Sequence, residues 1–302
     1  MIAQGVEFQR MQTRLLLALL KLLARLPLSL LHRLGWIVGR LFYLIPNRER
    51  RNALTNLQLC FPELDERARM ELLASSLEHT GRTLFEISAV WFRPIEQVLA
   101  LIREVSGAEH LHREPGQGLI VLSPHLGCWE IAGLYLASRG PVTSLYRPPR
   151  QAIFEPIMKQ ARERSGAELV PTDAQGVRRL YKVLQSGGTT GILPDQQPDS
   201  DKGAAFAPFF GVPALTMLLV NRLVRKTGAK VVFCYAERLP AGGGYHIHYL
   251  PGTPELAADD PIVAATALNQ GVEICVRSTP EQYQWTYKRF KDQPADSPSL
   301  YH

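Results

Sequence analysis

The stretch GLIVLSPHLGCWE, residues 118–130, ends an apolar run on a histidine. Leu119 to Leu122 are four aliphatic residues in a row, bounded by Gly118 and by Ser123 and Pro124. A short continuous apolar run between turn residues predicts a strand buried on both faces, as in a parallel sheet. His125 follows, and Glu130 lies five positions on, at the start of a helix expected over 129–139. The alternation then repeats. VTSLYR, AELVP and TTGILP read as strands; 151–165, GVRRLYKVLQSG and ALTMLLVNRLVRKTG read as helices. This order predicts an α/β fold with a mostly parallel central sheet flanked by helices. KVVFCYAERL and YHIHYL, joined by AGGG, predict a hairpin, and a last helix is expected over 260–278, before a tail that frays after Pro294.

Upstream the composition changes. The first 60 residues hold nine lysines and arginines against Glu7 and Glu49, whereas the other 242 hold 25 against 26 acidic residues. All of the +6 formal charge therefore sits at the N-terminus, beside the leucine-rich stretch 14–46. Lys21, Arg25 and Pro27 interrupt that stretch, so it lacks the run of about 20 apolar residues expected of a spanning helix. Arg14, Lys21 and Arg25 share one helical face and leave leucines on the others. That pattern suits N-terminal amphipathic or hydrophobic helices lying on an anionic membrane, with no call for nucleic acid. Three regions result: a basic hydrophobic membrane-associating segment over 1–46, a helical region over 47–105 that packs on the core, and the α/β core over 106–302. Asp65 is the expected N-cap of a helix in the second.

In an open parallel sheet, ligands bind beyond the carboxyl ends of the strands. Three polar clusters fall there: SPHLGCWE (123–130), YRPP (146–149) and LPDQQ (193–197). A neutral imidazole at His125 can take a proton from a hydroxyl and return it to a leaving group. Glu130 is the expected acceptor on the other ring nitrogen, fixing the tautomer. No protein nucleophile is evident, so the substrate supplies the hydroxyl. Arg147 suits phosphate or a developing oxyanion; Asp195 and Gln196 suit a sugar, a phosphate-bound water or Arg147. Cys128 offers a competing reading as a nucleophile beside His125, and the small buried residue as the plainer one. Phe206, Phe209 and Phe210, expected in a loop, would line an acyl groove, dip into lipid or simply pack in the core. His246 and His248 share a strand face, but no third ligand is evident nearby, so a strand surface is expected there. The four cysteines form no CxxC, and no GxGxxG or GxxxxGK[ST] motif is present.

His125 with Glu130, YRP at 146–148, LPDQQ at 193–197 followed by FFG at 209–211, and PEQYQWTYKRFK at 280–291 together resemble the late acyltransferases of lipid A biosynthesis, the lauroyl/myristoyl family within the wider H-x4-D/E acyltransferases. The resemblance covers nearly the whole chain. It implies a glycerol-phosphate-acyltransferase-like fold and an enzyme of the bacterial inner membrane with its active site on the cytoplasmic side. It further implies an acyl carrier protein thioester as donor, a lipid A precursor as acceptor, anionic membrane lipid as a partner, and no metal or other cofactor. His125 is then the general base, Glu130 its orienter, and Arg147, Asp195 and Gln196 substrate-binding. Relatives often show a clearer single anchor than this interrupted segment. The alternative acceptors are lysophospholipid, glycerol phosphate or another glycolipid; the alternative class is a non-catalytic membrane lipid-binding protein of the same fold.

Overall fold

Five strands run in one direction: β2 (Leu119–Leu122), β3 (Val142–Tyr146), β4 (Ala167–Pro171), β5 (Thr189–Ile192) and β8 (Lys230–Arg238). β1 (Ile102–Ser106) and β9 (Tyr245–Pro251) run against them, giving the order β1-β9-β8-β2-β5-β3-β4. The computed structural model describes residues 15–149, 154–198, 201–295 and 297–301. Part of the basic N-terminal segment, with Arg10 and Arg14, lies outside them, as does the start of the helix expected over 151–165. β2 is buried along its whole length, as its unbroken aliphatic run requires.

The helices α5 (Trp129–Ser138), α6 (Glu155–Glu163), α7 (Ala174–Gln185), α8 (Leu219–Thr227) and α9 (Pro261–Ser278) connect or cover these strands. The predicted alternation, the β8–β9 hairpin and the last helix are present. Three segments differ from expectation. Residues 102–105 were expected to be helical and, with Ser106, form the edge strand β1. The loop expected after LPDQQ and the first four residues of the next expected helix form a hairpin, β6 (Ala204–Phe209) and β7 (Val212–Met217). Phe209 and Phe210 are buried among Phe61, Trp285 and Phe290, so core packing is the reading that holds for these two, while Phe206 is half-buried. The tail does not fray at Tyr301, which is buried and donates its hydroxyl to Asn56 Oδ1 at 2.5 Å.

The N-terminal part runs through α1 (Leu28–Leu44), α2 (Arg48–Cys60) and α3 (Glu66–Phe92), with Asn47 and Asp65 as side-chain N-caps of the last two. A short helix α4 (Ile95–Leu99) follows. α1 lies along α3 with backbones nearly touching. A Cβ on Gly35 or Gly39 would overlap α3 backbone, and one on Gly81 would overlap the Gly35 carbonyl. The opposite side of α1 shows Trp36, Ile37, Leu41 and Leu44 to solvent. Ten of the fourteen large exposed apolar side chains among the described residues lie within 15–45, a concentration that ordinary surface scatter does not produce. No single described helix is long and apolar enough to cross a membrane; the pair α1 and α2 would pass only together, across a 79° bend.

The glycine seam yields a direct test. Gly81→Val forces two helix backbones apart, an overpacking that costs about 1–3 kcal/mol. Limited proteolysis should then cut between α1 and α2 faster than in the parent protein.

Candidate active site

His125, Arg147 and Asp195 follow β2, β3 and β5, so all three reach the same edge of the sheet, as expected. The turn carrying His125 is tightly constrained. Gly127 has φ of +60°, and a Cβ there would overlap the Ala236 carbonyl oxygen. That close approach lets Cys128 N donate to Ala236 O at 2.8 Å, tying the turn to β8. The C-terminal segment closes it from the other side: Gly127 N donates to Gln282 O and Gln284 N to His125 O.

The expected contact between His125 and Glu130 is not formed. Asp195 takes that place, 70 residues away in sequence and 3% exposed. Its Oδ1 lies 2.9 Å from His125 Nδ1, and its Oδ2 accepts from the His125 backbone amide, also at 2.9 Å. One carboxylate thus fixes both the ring and the main chain. Burial alone would raise the Asp195 carboxyl, but His125 and these hydrogen bonds outweigh it and hold the group below its usual range. An ionised Asp195 accepts a hydrogen bond from Nδ1–H, leaving the Nε2 lone pair outward. Gln196 donates to that lone pair, with its side-chain nitrogen 3.2 Å from Nε2. Trp129 packs edge-on to the ring at 5.1 Å.

Glu130 instead faces α6. It accepts from Arg162 through Nε at 3.0 Å and Nη2 at 2.5 Å, and from Trp91 Nε1 at 3.2 Å. Burial would raise its carboxyl, yet Arg162 and Trp91 bring it down on balance, with His125 the weakest influence. Local spacing suggested the wrong acceptor because a helix-start glutamate points where its helix packs, and α5 packs on α6. Gln196 sits on His125. Arg147 is exposed at the end of β3, close enough to lower the Tyr287 phenol against the larger effect of burial, which raises it.

Several supporting residues were not singled out from the sequence. Gln284 faces Gln196, at 3.5 Å. Asn56 on α2 donates to the carbonyls of Trp285 and Tyr287, and Tyr287 accepts from Gln197 N. The PEQYQWTYKRFK stretch was the available signal, since a polar-aromatic run past the last helix must pack on something. Beneath the turn lies a buried ion pair: Glu86 on α3 accepts from Arg238 Nε and Nη2 and from Tyr245 Oη, and Arg238 Nη2 also donates to Gly127 O.

Cys128 does not qualify as a nucleophile. It is 3% exposed, and burial followed by the Glu86 charge pushes its thiol well above the ordinary range. Cys128→Ala is expected to leave kcat close to the parent value, as measured in a transfer assay; a loss of several orders would restore the nucleophile reading.

The family model for bacterial lipid A biosynthesis acyltransferases matches residues 6–292. The chain belongs to that family. Among curated relatives, it is 30% identical to the lipid A biosynthesis lauroyltransferase of Escherichia coli (strain K12), over 94% of this chain and 93% of the relative. It is 29% identical to the palmitoleoyltransferase of the same strain, over 94% and 92%, and 26% identical to the myristoyltransferase, over 87% and 80%. In this member of the family the His125 imidazole stands at the carboxyl end of β2 with its Nε2 toward Gln196.

Proposed function

We propose that the protein transfers a fatty acyl group from acyl carrier protein to a hydroxyl on an acyl chain of a lipid A precursor. The observation that carries this reading is the Asp195-held imidazole of His125 with no accessible protein nucleophile beside it among the described residues. His125 Nε2 removes the proton of the acceptor hydroxyl. The alkoxide oxygen attacks the thioester carbonyl carbon, a tetrahedral oxyanion forms, and the C–S bond breaks. The imidazolium returns its proton to the departing thiolate, so ester and free thiol leave with the base regenerated.

Asp195 positions the ring and balances the imidazolium charge. Gln196 occupies the lone pair until the acceptor hydroxyl displaces it. The amides of Leu126, Gly127 and Cys128 already donate within the protein, so Arg147 is the residue we assign to the oxyanion or to acceptor phosphate. Glu130 supports the site by locking α5 to α6 through Arg162. The exposed leucines over 15–45, with Lys21, Arg25, Arg33 and Arg40 among them, lay the protein on the anionic inner membrane from its cytoplasmic side, where lipid acceptor and soluble donor meet.

The test uses the purified full-length chain in detergent with an acyl carrier protein thioester and a lipid A precursor. Mass spectrometry should show the acceptor gaining one acyl group. Acylation of lysophospholipid or glycerol phosphate with none of the precursor would overturn the acceptor assignment. Release of free fatty acid alone would overturn transfer itself.

A further inference from the structure

β1, β9 and β8 lie side by side, and their register sets polar residues in rows across one face. In the first row Glu104 on β1 and Glu237 on β8 both face His246 on β9. In the next, Ser106 and Tyr235 flank His248. Directly opposed residues of adjacent strands point to the same side, so two imidazoles stand between two carboxylates. The distances bear this out. His248 Nε2 is 2.9 Å from Glu237 Oε2, His246 Nε2 is 3.7 Å from Glu104 Oε1 and 2.7 Å from Ser106 Oγ, and the two rings are 3.8 Å apart. Ligand atoms of Glu237, His246 and His248 all lie within 4.8 Å of one another.

We infer that Glu237, His246 and His248 form a binding site for a divalent cation of the zinc class, with Glu104 as the fourth ligand. Two imidazoles with two carboxylates suit such a borderline ion, whereas magnesium and calcium prefer oxygen alone. Four donors about 2.0–2.2 Å from one ion stand about 3.3 Å apart. Side-chain rotation over a fixed strand framework would bring Glu237, His246 and His248 there, and Glu104, 3.7 Å from His246, would swing in to complete the set. The two carboxylate charges balance a divalent ion, and the 65% exposed side chain of Glu104 opens the cluster to solvent. His246 Nε2 leaves Ser106, and His248 Nε2 exchanges its proton with Nδ1 and presents its lone pair.

This ion takes no part in acyl transfer, and the proposal stands independently of the reaction. It acts as a clamp. β1 and β9 are the two strands that run against the rest of the sheet, and the ion would join both to β8. Glu237 is flanked by Ala236 and Arg238, which hold Cys128 N and Gly127 O of the His125 turn. Binding therefore stiffens the floor under that turn.

The full-length chain, carrying no histidine tag, is stripped with chelator in detergent and titrated with Zn2+ or Co2+ alone. One ion per chain should survive desalting and raise the thermal midpoint, and Co2+ should develop the strong visible d–d bands of a four-coordinate site. His246→Ala and His248→Ala should each weaken binding by more than about tenfold and abolish the midpoint shift. Glu237→Gln keeps size and fold, with circular dichroism as the check, and should also lose the shift. No retained ion and no Co2+ bands in the parent protein would overturn the site, as would undiminished binding in the histidine variants.

Discussion

Asp195→Asn should lower kcat about a hundred- to ten-thousand-fold, with KM for the lipid acceptor nearly unchanged. The carboxylate holds His125 at Nδ1 and at the backbone amide, so the amide isostere keeps the shape while removing the charge. Two consequences follow. Asparagine offers an amide nitrogen that favours the tautomer with hydrogen on Nε2, which cannot accept a proton. The imidazolium formed during attack also loses its counter-charge. His125→Ala should fall to the same floor, and the double variant no lower, because residues acting as one unit do not add. Steady-state transfer rates on folded variants decide the matter. Glu130→Gln is the control: it disturbs the Arg162 lock, so it should lower the unfolding midpoint more than it lowers kcat. If Asp195→Asn kept parent kcat while Glu130→Gln lost it, the orienting role would revert to Glu130.

The second large effect is on stability. Glu86 is 1% exposed and Arg238 3%, with three hydrogen bonds between them at 2.6 to 2.9 Å. Removing one partner, as in Glu86→Leu or Arg238→Met, strands a buried charge and should cost about 3–5 kcal/mol. Replacing both should cost less than either alone, so urea midpoints of the two singles and the double form a cycle that identifies the pair. If the losses simply added, the pair would not be coupled. The pH dependence has a definite sign. Burial would raise the Glu86 carboxyl, but Arg238 and the His32 hydrogen bond overcome this and leave it lowered. Its contribution is thus complete above the ordinary carboxylate value of about 4.3 and disappears only as pH falls through the lower folded value. This pair should therefore persist at acidities where exposed carboxylates are already protonated.

How much of this was legible in the sequence follows from the range of each interaction. The strands β2 to β5 could be read because each is a local apolar run closed by turn residues, and the shared edge of His125, Arg147 and Asp195 follows from that order alone. The partner of His125 could not be read. Periodicity reports neighbours within a turn or two, and it offered Glu130; the actual acceptor lies across the sheet on the strand-end next door. Glu130 had its own distant partner in Arg162, likewise invisible from spacing. The β6–β7 hairpin was misread because its alternation is weak and its second strand runs directly into helical leucines. His246 and His248 looked isolated because their carboxylates come from two other strands, one of them read as helix.

The closure of the His125 turn by residues 282–284 bears on the order in which the chain is made. Gln284 holds the His125 carbonyl, and Asn56 reaches across 229 residues to the Trp285 carbonyl. On the ribosome, the sheet can assemble while the last segment is still within the exit tunnel, but the histidine turn stays unsealed until that segment emerges. A nascent chain therefore gains its finished turn only once residues 282–284 have emerged, and a product truncated before them carries His125 and Asp195 without the segment that seals the turn.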